Sequence, residues 1–452
     1  MFFSLDELLE ATGGRLVNQF RKDGISAVTT DSRKNIPNAL FFAIPGEKFD
    51  GHDYLVQALE NGADLLCIEE KSIAKLPENA PAIVVPFTIP AYQKLAAYHR
   101  RKIDPKVIAL TGSCGKTSTK EMLRAIFQEA YGKDAVLATE GNTNNQIGVP
   151  QNLFRLEPQH KYCIIEMGTN HHGEIEPLSA ATEPSAALIV SIARCHLENL
   201  GSLEGVAVEK SNIFRYLHGT AVIPADAPGF DIMKKAAGKN PIITFGSSKA
   251  DFDARPLGGT IRGSVFELKD NRSGKTAKVE WRLLGAHQAK NAAGAAALAS
   301  SFGIPLDVIA KGLSNCVLPG MRMKITDHGG ATWINDAYNA NPDSMRASLS
   351  WLAEFADPAK LLLVVGDMLE LGDAALQSHI EILDFAEKNL KGASVIAVGP
   401  VMMQASQKFP GIRAFPNSAE AVETVRKSAK PGNIVFLKAS RGTKLELTEP
   451  EE

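Results

Sequence analysis

Apolar residues along this chain keep two alternating rhythms: short unbroken runs, and stretches where they return every three or four positions. Val107, Ile108 and Leu110 form one such run, and Met122, Leu123, Ile126, Phe127 and Ala130 follow at helical spacing until Gly132 stops them. The same rhythms predict helices from Ser4 to Leu9 and from Pro90 to Lys102, and strands at Leu40 to Ile44, Tyr162 to Glu166, Ala187 to Ile192, Thr220 to Pro224 and Ile242 to Phe245. Asp251 to Arg282 reads as a β meander, followed by an alanine-rich helix from His287 to Ser301. Beyond the loop-rich junction at Gly303, Pro305 and Pro319, strand runs recur at Trp333 to Asp336, Leu361 to Asp367, Val395 to Gly399 and Ile434 to Lys438. Strands alternating with helices predict largely parallel sheets covered on both faces, with ligands gathered at their carboxyl edges.

The expected fold class is therefore α/β, and the chain's 452 residues suggest three domains at roughly 100 to 200 residues each. Residues 1–86 read as a small α/β domain with its own apolar set, including Leu65, Leu66, Ile68, Ile83, Val84 and Val85. Residues 87–317 read as a central parallel-sheet domain that binds a mononucleotide, and residues 318–452 as a Rossmann-like α/β domain.

Between the first strand run and its helix lies TGSCGKTS, Thr111 to Ser118. Gly112 and Gly115 let backbone N–H groups turn inward around an anion, and the positive end of the following helix points at the same place. Lys116 would reach the β- and γ-phosphates, and the Thr117 hydroxyl would ligate Mg²⁺. The glycine spacing is that of a shorter phosphate loop, since the position of the usual first glycine is Leu110. Glu166 ends an apolar strand, where an unpaired carboxylate is costly unless it meets a cation. His196 and Lys210 follow the next strand, and taken alone each reads more readily as structural. Arg33, Lys48, Asp50 and His52, on amino-terminal loops, read equally well as a ligand-holding cluster or as solvated charge.

Composition narrows the partners. With 49 basic and 51 acidic residues the net charge is −2, so nothing in it advertises nucleic acid or an anionic membrane. Five scattered cysteines without a CxxC pair argue for a reducing compartment and against a disulfide framework or zinc cluster; Cys114, inside the phosphate loop, is assigned no chemistry. No apolar run approaches the ~18 to 20 residues of a membrane span, and the acidic start MFFSLDELLE is unlike a secretory signal. A cytoplasmic, monomeric protein acting on small molecules is expected.

TGSCGKTS, GNTNNQIG, EMG, the His196 and Lys210 pair, HQAKN, PGMRM, NDAYNANP and GDMLELG stand in the order found in the Mur ligases. The chain resembles that family of ATP-dependent amide-forming enzymes of peptidoglycan precursor synthesis along its whole length. The resemblance implies that Lys116 and the amides of Thr111, Gly112, Ser113, Cys114, Gly115, Thr117 and Ser118 hold ATP, with Asn291 at the adenine, Arg322 at the phosphates and Asp336 at the ribose. It implies one Mg²⁺ on Thr117 and Glu166, and a second on His196 and a carbamylated Lys210. Lys116, His196 and Lys210 then carry the catalysis. Asp31, Ser32, Arg33, Asp50, Gly51 and His52 would face a uridine nucleotide, Asn142, Thr143, Asn144 and Asn145 the peptide, and Tyr338, Asn339 and Asn341 the neighbourhood of the ribose. GNTNNQIGVP, DAYNANPDS and GDMLELG resemble the branch that joins D-alanyl-D-alanine to UDP-N-acetylmuramoyl-tripeptide. Two rivals remain open on the sequence: another amide ligase of this architecture, of folylpolyglutamate or cyanophycin type, and a P-loop switch or binding protein.

Overall fold

The computed structural model describes residues 1–283 and 285–451. The chain forms two compact units: Met1–Ala109 with Asp134–Gly168 and Gly173–Ser185, and Leu110–Lys133 with Thr169–His172 and Ala186–Glu452.

In the first unit, helix Leu5–Thr12 begins at a capping box, Ser4 and Glu7 each serving the other's backbone N–H, and ends at Gly13 in the left-handed region. A five-stranded sheet runs in the order Arg15–Val17, Ala82–Val85, Ala63–Glu69, Ala39–Phe42, Ala27–Thr29. Its pairings are parallel except the first, which is antiparallel. Leu40 and Phe42 pack into one apolar cluster and Phe41 and Ala43 into another, so the sheet is buried on both faces. That is why its strands read as continuous apolar runs rather than alternating ones. Strands Val136–Ala138 and Tyr162–Glu166 pair in parallel in the same unit, the second with the bounds expected from sequence.

Helix Thr88–Ile103 carries His99 into this core, where the ring meets Phe3 edge-on and stacks on Phe154. His99 is 4 % exposed, and its Nε2 donates to the Leu156 carbonyl at 3.0 Å. Burial holds its pKa below the ordinary histidine range. The unfolded chain therefore takes up a proton that the folded one refuses, and the stability due to neutral His99 is lost as pH falls below about 6.5. Denaturant midpoints of the wild type and His99→Gln, compared at pH 7 and pH 5, are expected to draw together at the lower pH.

Strand Lys106–Thr111 crosses from the first unit into the second at Leu110. In the second unit Ala186–Ile189, Thr220–Pro224 and Ile242–Phe245 pair in parallel. The expected meander follows as antiparallel strands Phe252–Thr260, Gly263–Asp270 and Lys275–Trp281. Helices Ala286–Ser300 and Leu306–Ser314 pack on the helix of the phosphate loop, Lys116–Tyr131. A Cβ at Gly312 would lie 2.6 Å from the Ile126 backbone, so that close crossing requires glycine.

A six-stranded sheet follows in the order Lys324–His328, Ala331–Asn335, Ile434–Lys438, Leu361–Gly366, Ser394–Val398, Arg413–Phe415. All of its pairings are parallel except the first. Its four central strands are those expected from sequence; the two outermost were not expected. Edge strands lie partly in water, so KITDH and RAF carry no apolar run to announce them. No helix among the described residues is long and apolar enough to cross a membrane.

Candidate active site

The phosphate loop is laced to the end of the neighbouring strand. Ser113 N donates to Ser191 O at 2.9 Å, Ser113 Oγ to Ala193 O at 3.0 Å, and Cys114 N to Ser191 Oγ at 2.9 Å. Gly115 turns into the helix at φ 78°, and no side chain caps the first turn that follows. The amides of that turn therefore point from a positive helix end with no side-chain acceptor of their own, the arrangement that suits a phosphate. Lys116 Nζ donates back to Gly112 O at 2.7 Å, which keeps the ammonium within the loop.

Residues far away in sequence converge on this loop. The Asn291 amide lies 2.9 Å from where a Cβ on Gly115 would be, so glycine is needed there for close approach as well as for its φ. Gln288, one turn earlier, reaches Asn291 at 3.2 Å and Ser118 at 3.5 Å. Arg322 Nη2 donates to Thr117 Oγ1 at 3.2 Å while its guanidinium lies 3.6 Å from the Tyr338 ring centroid. Asn341 caps helix Pro342–Phe355 through its side-chain oxygen, and its amide nitrogen contacts Cys114 Sγ at 2.9 Å. Burial pushes the Cys114 thiol up from its ordinary pKa, which leaves it a packing group rather than a nucleophile.

Asp336 is held by Lys438 at 2.5 Å and by Ser348 at 3.1 Å. The Asn339 carbonyl accepts from Lys438 at 3.4 Å, and its side-chain oxygen faces Ser440 Oγ at 3.4 Å. Lys438 is 3 % exposed, so removing it would strand the Asp336 carboxylate. Lys438→Met is expected to cost about 3 kcal/mol of stability, read from urea denaturation at neutral pH.

His196 adopts φ 49° ahead of the short helix Leu197–Leu200, and its Nδ1 lies 2.7 Å from Glu370 Oε2. The bond from His196 holds the Glu370 carboxyl below its ordinary pKa. Lys210, on helix Leu203–Ser211, is 1 % exposed, and no carboxylate forms an ion pair with it among the described residues. Burial, with the Lys116 charge adding to it, brings its pKa down to about 8.

In the first unit Glu166 is 1 % exposed at its strand end. Its Oε1 accepts from Asn144 Nδ2 at 2.8 Å, and its Oε2 is buried with no hydrogen-bond partner among the described residues. Asn142 meets Asn144 at 3.3 Å, whereas Asn145 and Thr143 are committed to their own loop: Asn145 Oδ1 accepts from Gly148 N at 2.9 Å and Thr143 Oγ1 donates to Glu140 O at 2.5 Å. Asp31 pairs with Arg33 at 2.8 Å, which draws its pKa to about 2, and Ser32 bonds Gln57 at 2.7 Å. His52 is buried, donating from Nδ1 to Asp50 at 2.6 Å and accepting at Nε2 from Glu69 N at 3.0 Å. For Asp50, burial pushes the pKa up but the bonds from His52 and Lys75 outweigh it, giving about 2. Gly51 approaches the Ile44 backbone so closely that a Cβ would lie 2.6 Å from its nitrogen.

Sequence reasoning did not single out Ser191, Gln288 or Glu370 as individual residues. Ser191 lies in no motif, and Gln288 and Glu370 were visible only as single letters of HQAKN and GDMLELG.

Three family models match in succession: the Mur ligase family catalytic domain over residues 24–102, the Mur ligase middle domain over 110–299 and the Mur ligase glutamate ligase domain over 321–441. The UDP-N-acetylmuramoyl-tripeptide–D-alanyl-D-alanine ligase of Escherichia coli (strain K12) is 39% identical over 389 residues, 85% of this chain and 83% of that one. The enzyme of the same name from Bacillus subtilis (strain 168) is 33% identical, over 98% of this chain and 96% of its own. The chain belongs to the Mur ligase family. Among solved Mur ligase structures, that of MurF from Acinetobacter baumannii superposes with a TM-score of 0.91 at 32% identity, covering 99% of this chain and 98% of that one. The α/β fold read from the sequence is thus the Mur ligase fold, in amino-terminal, middle and carboxyl-terminal parts.

Proposed function

We propose that this Mur ligase joins D-alanyl-D-alanine to UDP-N-acetylmuramoyl-tripeptide, the two substrates in its relatives' names, at the expense of ATP and with release of ADP and phosphate. The observation that carries the reading is the convergence of Asn291, Arg322 and Asn341 on the phosphate loop, because it joins a nucleotide site to the family-specific segments HQAKN, PGMRM and NDAYNANP. The proposed domains are 1–86 for the uridine nucleotide, 87–317 for ATP and 318–452 for ATP and the dipeptide, in a cytoplasmic monomer.

A carboxylate is a poor electrophile in water, so the tripeptide's terminal carboxylate attacks the γ-phosphate, displaces ADP and becomes an acyl phosphate. The dipeptide amine then attacks that carbonyl, and phosphate leaves. Lys116, Arg322 and the loop amides offset the repulsion between carboxylate and phosphate, the positioning-plus-charge pattern of phosphoryl transfer. Asn291 takes the adenine and Asp336 the ribose, with Tyr338, Asn339 and Asn341 shaping the surroundings. Asp31, Ser32, Arg33, Asp50, Gly51 and His52 serve the uridine nucleotide. Asn142, Thr143, Asn144 and Asn145 face the peptide.

The donor set fits divalent cations. Among the described residues Glu166 presents a buried carboxylate oxygen with no hydrogen-bond partner, and Lys210 is a buried amine with no ion pair. The Thr117 hydroxyl and the Glu166 carboxylate would each serve as a Mg²⁺ ligand, and His196 with carbamylated Lys210 would hold a further Mg²⁺. Bound there, Mg²⁺ would neutralise phosphate charge as it develops.

Phosphate release from ATP with UDP-N-acetylmuramoyl-tripeptide, with and without D-alanyl-D-alanine, tests the assignment. Release that requires both substrates is expected. Release indifferent to the dipeptide, or seen only with folate or another acid, would discard the assigned substrates.

A further inference from the structure

We infer that Glu370 is the positioning carboxylate of His196, fixing which ring nitrogen His196 offers to a divalent cation. The inference rests on the proposed reading of His196 as a metal ligand. A carboxylate at 2.7 Å from Nδ1 accepts its proton, so the neutral ring carries that proton on Nδ1 and leaves Nε2 with a free lone pair. Metal-ligating histidines generally donate their other ring N–H to such a carboxylate, which fixes the tautomer and raises the basicity of the ligating nitrogen.

The fold holds Glu370 in place. Each of the three residues before it is tied down. Asp367 Oδ1 accepts from Met402 N at 2.7 Å, Met368 N donates to His379 Nε2 at 2.9 Å, and Leu369 N donates to Ser440 Oγ at 3.0 Å. His379 is itself fixed, donating from Nδ1 to Ala375 O at 2.7 Å. On the other side, Leu197–Leu200 packs against the turn Gly372–Ala374. Glu370 has φ 64° and His196 φ 49°, a region residues with side chains seldom adopt, and the two strained residues meet each other. Such strained positions persist where the surrounding structure over-determines them, and they cluster at active sites and ligand clamps. The carboxylate comes from the GDMLELG loop, more than a hundred residues after His196 in sequence, so the carboxyl-terminal segment would govern a metal ligand of the middle one.

The test is Mn²⁺ binding to the full chain in the presence of ADP, followed by the electron paramagnetic resonance signal of free Mn²⁺, in the wild type, Glu370→Ala, Glu370→Gln and His196→Ala. Two bound ions are expected in the wild type. Glu370→Ala should weaken one of them by about 10- to 100-fold. Glu370→Gln, whose amide oxygen still accepts the Nδ1 proton, should lose less. The KM for D-alanyl-D-alanine should stay near the wild-type value. Glu370 is more than half exposed, so its variants should melt where the wild type does. If His196→Ala loses an ion and Glu370→Ala does not, the positioning role is overturned while the metal reading of His196 stands. If Glu370→Ala instead raises the dipeptide KM with both ions intact, the carboxylate serves the substrate and the inference is also overturned. If His196→Ala keeps both ions, the metal reading fails and takes the inference with it.

Discussion

Lys116→Ala is expected to lower kcat/KM for phosphate release by about 10³-fold, close to 4 kcal/mol of transition-state stabilisation. The loop amides and the helix end remain in the variant, so nucleotide binding should weaken far less than turnover. Lys116 Nζ sits 2.7 Å from Gly112 O, already within the loop, so its charge has little reorganising to do as phosphate charge spreads. Removing it leaves Arg322 as the nearby cation that touches Thr117, and a guanidinium also stacked on Tyr338 is not free to replace an ammonium inside the loop. The measurement is the phosphate-release assay with both substrates, beside ADP affinity by calorimetry. A loss under about tenfold, or an equal loss in ADP affinity and kcat/KM, would remove Lys116 from the transition state.

Lys210→Ala should reduce turnover by about 10²- to 10³-fold, and millimolar acetate or propionate should restore part of it. A buried ammonium without a counter-ion is costly, and at a pKa of about 8 the amine is neutral far more often than an ordinary lysine. A neutral amine can add CO₂ and give up a proton, and the resulting carbamate is an anion suited to a cation-binding site. A small carboxylate entering the space left in Lys210→Ala would supply that charge, whereas Lys210→Arg fills the space and cannot be carbamylated. Activity in Lys210→Arg, or no response of Lys210→Ala to any carboxylate, would count against the modification.

Much of the architecture was legible in the chain because its sheets are buried on both faces. Tyr162–Glu166, Thr220–Pro224, Ile242–Phe245 and Ile434–Lys438 begin and end where their apolar runs do. Lys324–His328 and Arg413–Phe415 were not legible, since an edge strand is defined by a neighbour's hydrogen bonds rather than by its own burial.

The phosphate loop was also legible, because glycine chemistry and the strand-to-helix change are local. Gly115 at φ 78° does what its place in the sequence demands. The roles given to segments such as HQAKN and NDAYNANP came only from resemblance. Nothing in their spacing says that Asn291 meets Gly115 or that Asn341 meets Cys114.

The sequence by itself determined the strand–helix order, the buried sheets and the phosphate-loop turn, since periodicity and backbone freedom are properties of neighbouring residues. Tertiary structure alone decided that Arg322 lies between Thr117 and Tyr338, that Asp336 pairs with Lys438, and that Glu370 reaches His196. Three of those four pairs are separated by more than a hundred residues. Their meeting depends on which strands lie side by side and where each loop is pinned, and no single segment of sequence carries that information.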